Sequence, residues 1–371
     1  MTRPGVVVTS RADLPPRSAP TDAGMAFMVG ATESGDPVKA VTSMTQYQTE
    51  FGARPGFTDA FDAAETFFRE GGSVLTVSRT AAPLDLDAGL AQLVRALGPG
   101  QVFVPGATGQ TSDTHDALLQ HAADNNRIAL LDVPPDADTA ALTALVTPLH
   151  TNANARYAGM FAPSAIVPGV TSADVRTVNY CALEAGIMSR NAARFTPNVP
   201  AAGNNGISRF AIDLSQTFTD PDREALNEDG VNIARVVFGQ VKTYGYRTVA
   251  PDTTGWVNLG NARLNMEIVA KAEAIGENYV FQQIDGRRVK ISQFGAELSA
   301  MLIPYWEAGA LFGESAQDAF FVDVGRAVNT DQTIANGELH AVMGVRMSPF
   351  AEWVVIEIVK VATDQPLAVA A

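Results

Sequence analysis

Thr58-Asp-Ala-Phe-Asp-Ala-Ala-Glu-Thr-Phe-Phe-Arg-Glu-Gly-Gly-Ser-Val-Leu-Thr-Val-Ser-Arg79 decides how this chain is read. Phe57, Phe61, Ala64 and Phe68 recur at helical spacing, so one face of a helix over 58–70 is apolar. Thr58 suits the N-cap, and Gly71-Gly72 stops the helix. The β-branched run 74–79 then reads as a strand. Upstream, Met25-Ala-Phe-Met-Val29 reads as a short buried strand ending at Gly30. The three segments make a β-α-β start.

The alternation continues toward the C-terminus. Strands are expected at 102–104, 128–132 and 157–161, with helices at 113–125 and 139–149 between them. Such alternation predicts an α/β fold with a largely parallel sheet. Residues 172–193 read as mostly helical, and the Pro-, Asn- and Gly-rich stretch 197–206 reads as a boundary. The C-terminal third is different. Leu264, Ile268, Ala272 and Ile275 stripe one helix, with Glu267 and Lys271 paired on its surface. Phe294, Leu298, Leu302 and Tyr305 stripe a longer one over 292–311, which Pro304 should bend or interrupt. Strands follow at 319–324 and 339–347, and no internal repeat is visible.

A chain of 371 residues has room for a sizeable core and two or three domains. Asp and Glu number 40 against 26 Lys and Arg, a formal charge of −14. Nucleic acid and anionic membranes normally require a basic patch, so neither is an expected partner. Cys181 is the sole cysteine, which excludes an intrachain disulfide and an all-thiolate zinc site. It lies in an apolar stretch and reads as a small buried hydrophobe. With no apolar region near Met1 and no run of about 18 apolar residues, neither a cleaved signal nor a membrane span is expected.

Chemistry has few footholds. Gly106-Ala-Thr-Gly-Gln-Thr-Ser112 lies between a strand and a helix, where helix amides attract anions. Its glycines are too close for a phosphate loop and Gln110 stands where lysine is needed, so a turn capped by Ser112 or Asp113 fits better. His115, His121, His150 and His340 form no metal-ligand pair at helical spacing. Ser112, Asp113 and His115 are too close in sequence for a nucleophile triad, and no G-x-S-x-G elbow occurs. Phe57, Phe61, Phe67 and Phe68 read as core. No catalytic residue, cofactor or metal is expected. The rival reading is a doubly wound α/β enzyme holding a small anion at Gly106–Ser112.

The two ends carry more information. Arg3-Pro4-Gly5-Val6-Val7-Val8-Thr9 and Trp353-Val354-Val355-Ile356-Glu357-Ile358-Val359-Lys360 both read as strands, with no two-residue hairpin turn beside either. An unpaired strand is a template for another chain. Strand exchange between subunits is therefore expected through Pro4, Gly5, Val6, Val7 and Val8, and through Trp353, Val354, Val355, Ile356, Ile358 and Val359.

Taken in order, these segments resemble the contractile tail sheath proteins of bacteriophages and related injection systems. Arg3-Pro-Gly-Val-Val-Val8 is similar to the family's P-G-V-Y-V start, with Val7 in place of the aromatic. Met25–Gly30 and Glu50-Phe-Gly52 resemble its A-F-V-G and F-G elements, and 64–79 its F-F-x-N-G-G strand motif. Leu226-Asn-Glu-Asp-Gly-Val-Asn232 resembles L-N-x-x-G-I-N, and Tyr244-Gly-Tyr-Arg-Thr-Val249 resembles G-A-R-T-L. Gly309-Ala-Leu-Phe-Gly313, Asn329-Thr330 with Asn336-Gly337, and Pro349-Phe-Ala-Glu-Trp-Val354 match its later elements. Ala165-Ile-Val-Pro-Gly-Val170 is a degraded form of its P-S-G-x-V-A-G element.

The resemblance implies a linking arm at 1–20, a tube-proximal core from 21–82 and 204–352, an outward-facing α/β insertion at 83–203, and a linking strand and tail at 353–371. It implies a structural subunit, not an enzyme, stacked in six-membered rings around a tail tube and contracting to drive that tube through a host envelope. The implied partners are copies of the chain, the tube protein, and baseplate and tail terminator proteins. The implied place is the virion tail, assembled in the bacterial cytoplasm. Arg287, Arg288 and Lys290, before the 292–311 helix, are the tube-facing candidates.

Overall fold

The computed structural model of the chain describes residues 23–170 and 174–352. Both expected linking strands, at 3–9 and 353–360, lie outside them.

β1 (Ala26–Ala31) is followed by β2 (Val38–Val41), α1 (Met44–Phe51), α2 (Thr58–Arg69) and β3 (Leu75–Thr80). β1 and β3 are parallel, with Ala26 opposite Leu75, and α2 is the crossover helix between them. α3 (Leu86–Gln92), β4 (Gln101–Phe103), α4 (Ser112–Asn125), β5 (Ile128–Leu131), α5 (Thr139–Val146) and β6 (Ala158–Ala162) continue the alternation. Next come β7 (Ala165–Pro168), β8 (Val175–Val178), α6 (Tyr180–Ala192) and β9 (Asp213–Leu214). α7 (Asp220–Glu228), β10 (Val231–Val237) and β11 (Gln240–Thr243) complete the main body.

Eight strands form one sheet in the order β11-β10-β6-β5-β4-β1-β3-β2. The inner strands run parallel, and β2 and β11 are antiparallel edges. Alternate side chains bury on opposite faces. Ala26 and Met28 of β1 pack with Tyr47, Phe61, Phe67, Leu183 and Ile187 from α1, α2 and α6. Phe27 and Val29 pack with Leu90, Leu118 and Leu142 from α3, α4 and α5. Both faces are covered, as parallel strands require. Phe67 is fully buried, and its replacement by alanine would cost about 3–5 kcal/mol.

The sheet does not divide at the boundaries expected for an insertion at 83–203. β4, β5 and β6 fall in that range and lie between β1 and β10, so backbone pairing runs unbroken from β2 to β11. The physical reason is that a buried parallel strand needs a partner on each side. The chain changes architecture near residue 259 instead. There α8 (Leu259–Glu277) and α9 (Val289–Glu307) begin a lobe with its own apolar cluster, which includes Leu264, Ile268, Leu302, Tyr305 and Leu311.

Other differences are local. Residues 175–178 are β8, not helix, and α6 begins only at Tyr180. β7, β8 and β9 make a small antiparallel sheet. Thr111, not Ser112 or Asp113, caps α4 by accepting from the Thr114 N–H. Thr58 is the first helical residue of α2, after Phe57 at the cap position. α9 runs through Pro304 to Glu307. So near the C-terminus, the missing N–H removes one bond only.

Candidate assembly site

In the C-terminal lobe, α9 packs against a two-stranded sheet of β12 (Phe320–Asp323) and β13 (Val342–Val345). They are antiparallel, with Phe320 opposite Val345 and Asp323 opposite Val342. The alternation is strict. Phe320, Val322, Met343, Val345 and Met347 face the cluster that holds Leu302 and Tyr305. Phe321 and Val342 face solvent, 57% and 49% exposed. Gly344, opposite Phe321, has no side chain because the Phe321 ring occupies the space a Cβ would need.

One side of β13 is filled along its length. The Arg346 N–H donates to the Ala319 carbonyl at 2.8 Å, and the Arg346 carbonyl accepts from the Phe312 N–H at 2.8 Å. Ser348 N–H reaches the Ala310 carbonyl at 3.1 Å, and Leu311 bridges Met347. Backbone groups alternate sides along an antiparallel strand, so those of Met343, Val345 and Met347 point the other way. Among the described residues no strand pairs with that edge, nor with the outer edge of β12. A two-stranded sheet is marginal by itself, and open edges accept further strands.

The base of β12 is braced by a buried amide. Asn329 Nδ2 donates to the carbonyls of Val324 at 3.0 Å and His340 at 2.8 Å, and its Oδ1 accepts from the His340 N–H at 2.8 Å. Arg288, held at φ 62°, donates to the carbonyls of Asn329 and Val324, both at 3.2 Å. Its guanidinium is thus engaged in bracing this loop. Arg287 is 89% exposed, 4.0 Å from Asp285. The Lys290 N–H donates to Asp285 at 3.1 Å. Arg287 and Arg288 lie in the loop before α9 and Lys290 in its first turn, and the structure gives the two arginines different tasks.

The rival anion site is filled by the protein itself. Gly106, at φ 80°, lies against the Asp59 carboxylate, which a Cβ there would strike, and its N–H donates to Asn179 Oδ1 at 2.8 Å. An acid in that position repels an anion. His115 is fully buried, with Nε2 2.8 Å from the Asp132 carbonyl, so it belongs to the core and not to a triad with Ser112. His121 lies 2.9 Å from the Arg127 guanidinium, and burial with that charge lowers its pKa to about 4. Among the described residues, no three His, Cys, Asp or Glu side chains converge on a metal position, and no helix is long and apolar enough to cross a membrane. A cleft of about 590 Å³ between α6, α8 and α9 is lined by Phe195, Pro197, Glu267, Lys271 and Tyr305. Its polar atoms satisfy one another: Lys271 donates to the Tyr305 hydroxyl at 2.6 Å, and that hydroxyl donates to Glu267.

No protein-family model matches the chain, and no curated protein sequence matches it. Solved structures do. The contracted helical sheath of the anti-feeding prophage (AFP) has a TM-score of 0.72 at 19% identity, covering 97% of this chain and 99% of that one. The contracted PVC sheath complex, from an extracellular contractile injection system, has a TM-score of 0.71 at 16% identity, covering 97% and 98%. The sheath tail protein of Desulfitobacterium hafniense gives 0.56 at 11% identity, covering 86% and 93%. At such identities the likeness is one of fold, and it spans nearly the whole chain: this is the fold of contractile sheath subunits.

Proposed function

We propose that this chain is the structural subunit of a contractile sheath, without enzymatic activity. The observation that carries this reading is a fold match over 97% of the chain to a contracted sheath. Copies would stack as six-membered rings around a tail tube and contract to drive it through a host envelope, in keeping with the six-fold AFP baseplate of similar fold. Residues 4–8 and 353–359 of neighbouring copies would add to the open edges of β12 and β13, where main-chain pairing supplies the link and alternating side chains fix the register. Head-to-tail contacts that do not close produce a helical tube. Contraction then draws on free energy stored in the extended assembly, not on nucleotide hydrolysis.

In this reading the α3–α5 face of 83–203 points outward, while its strands stay within the one sheet they share with 21–82 and 204–352. Arg287 is the best placed of the three cations to meet an acidic tube, because Arg288 is occupied within its own lobe. The remaining partners are baseplate and tail terminator proteins, in a virion tail assembled in the bacterial cytoplasm. Removing residues 1–20 tests the link. The truncated protein should keep its fold and fail to polymerise; normal tubes from it would refute arm exchange.

A further inference from the structure

Asn232, Arg247 and Glu352 form one hydrogen-bonded chain near the C-terminal end of the described residues. Asn232 lies in β10 and is fully buried. Its Oδ1 accepts the Arg247 N–H at 2.6 Å. Its Nδ2 donates to the Arg247 carbonyl at 2.8 Å and to the Met160 carbonyl of β6 at 3.1 Å. One side chain therefore holds both backbone groups of Arg247, as a neighbouring strand would. The guanidinium of Arg247 then reaches outward. Nη1 donates to the Asn227 carbonyl at 3.4 Å, and Nη2 to the Glu352 carboxylate at 2.7 Å.

Glu352 is the last residue before the stretch expected to form the linking strand. The C-terminal lobe last grips the chain at Ser348, through the Ala310 carbonyl. Between Ser348 and Glu352 the chain thus passes from that lobe to the main sheet. The Arg247 side chain is 14% exposed and Glu352 is 38% exposed, so the pair is only partly screened by water.

We infer that Arg247 is a positioning residue for strand exchange: by holding Glu352 it fixes the point from which residues 353–360 reach a second copy of this chain. The inference rests on the assembly reading above. Without the pair the strand would start from Ser348, and four added residues of free chain span about 14 Å. A wider search volume lowers the effective concentration of the strand at its acceptor edge, on the order of tenfold.

The test compares Arg247→Glu, Glu352→Arg and the double swap in the full-length protein. Sedimentation gives the critical concentration for polymerisation, and thermal melting reports the fold. Each single reversal should raise the critical concentration about tenfold, and the swap should restore it. Singles that polymerise like the wild type overturn the inference, as does a swap no better than the singles. If Arg247→Glu fails to fold, Glu352→Gln replaces it, since Glu352 lies at the surface. Amide exchange of residues 350–352 in unassembled protein separates the two readings. It should quicken in each single and slow again in the swap, and unchanged exchange overturns the inference. A wild type that forms no tubes defeats the assembly reading, while this exchange pattern still decides the pair.

Discussion

Glu184 sits within α6 with no exposed surface. Thr243 Oγ1 donates to its Oε2 at 2.5 Å, and its Oε1 is a buried oxygen without a hydrogen-bond partner. Burial pushes the carboxyl up to about 8, against the partial relief of the Thr243 bond and the Arg263 charge. Asp132 is raised to about 7 by the same cause, despite the Cys181 N–H it accepts. Folded pKa values above the unfolded ones mean that the native state binds more protons in between. The stabilisation is complete below the unfolded values of 4.5 and 3.8, and is lost as pH climbs through about 8 and about 7. Denaturant unfolding between about pH 5 and about pH 9 should therefore show falling stability, with a shallower slope in Glu184→Gln. An unchanged slope would remove Glu184 from the account.

The sequence names such residues without showing what they meet. Gly71-Gly72 reads as a helix stop, but nothing indicates that Glu70, just before it, is fully buried. Its carboxylate accepts from the Arg209 and Phe210 N–H groups, from Ser208 and from Arg190, partners more than a hundred residues away. A carboxylate is rarely buried without partners, yet spacing along the chain does not reveal them. Asn232, Arg247 and Glu352 were visible as motif residues, and their meeting was not.

At the scale of elements, periodic segments were the readable ones. The helix expected over 58–70 is Thr58–Arg69, and the strand expected over 74–79 is Leu75–Thr80. The β10–β11 hairpin escaped because its turn places Phe238 at φ 50° and Gly239 at φ 75°, where the usual signal is Asn-Gly. β8 escaped because a four-residue strand leads directly into α6. For the open edge of β13, proline is a selective probe. At Val345 it removes an N–H on the free side and spares the ladder to β12; at Gly344 it removes one within that ladder. Val345→Pro should keep its fold, losing stability only through the packing of the Val345 side chain, and fail to form tubes, whereas Gly344→Pro should lose more, about 3 kcal/mol, by chemical denaturation. Normal tubes from Val345→Pro would place the incoming strand elsewhere.

For the whole molecule, alternation in sequence conveyed the α/β class but not the order of strands. The family resemblance implied that the 83–203 segment is an insertion. In space it provides the centre of the sheet, since β4 pairs directly with β1. The 197–206 stretch is likewise no boundary. The Gly203 N–H donates to Thr243, and Thr243 in turn to Gly206, which covers the β11 edge. The small C-terminal sheet has open edges, and on those edges the proposed assembly depends. Cryo-electron microscopy of the purified full-length protein tests this most directly. The account predicts hollow helical tubes in which residues 4–8 and 353–359 of neighbouring copies lie beside β12 and β13; discrete particles, or tubes in which each copy completes that sheet with its own ends, would contradict it.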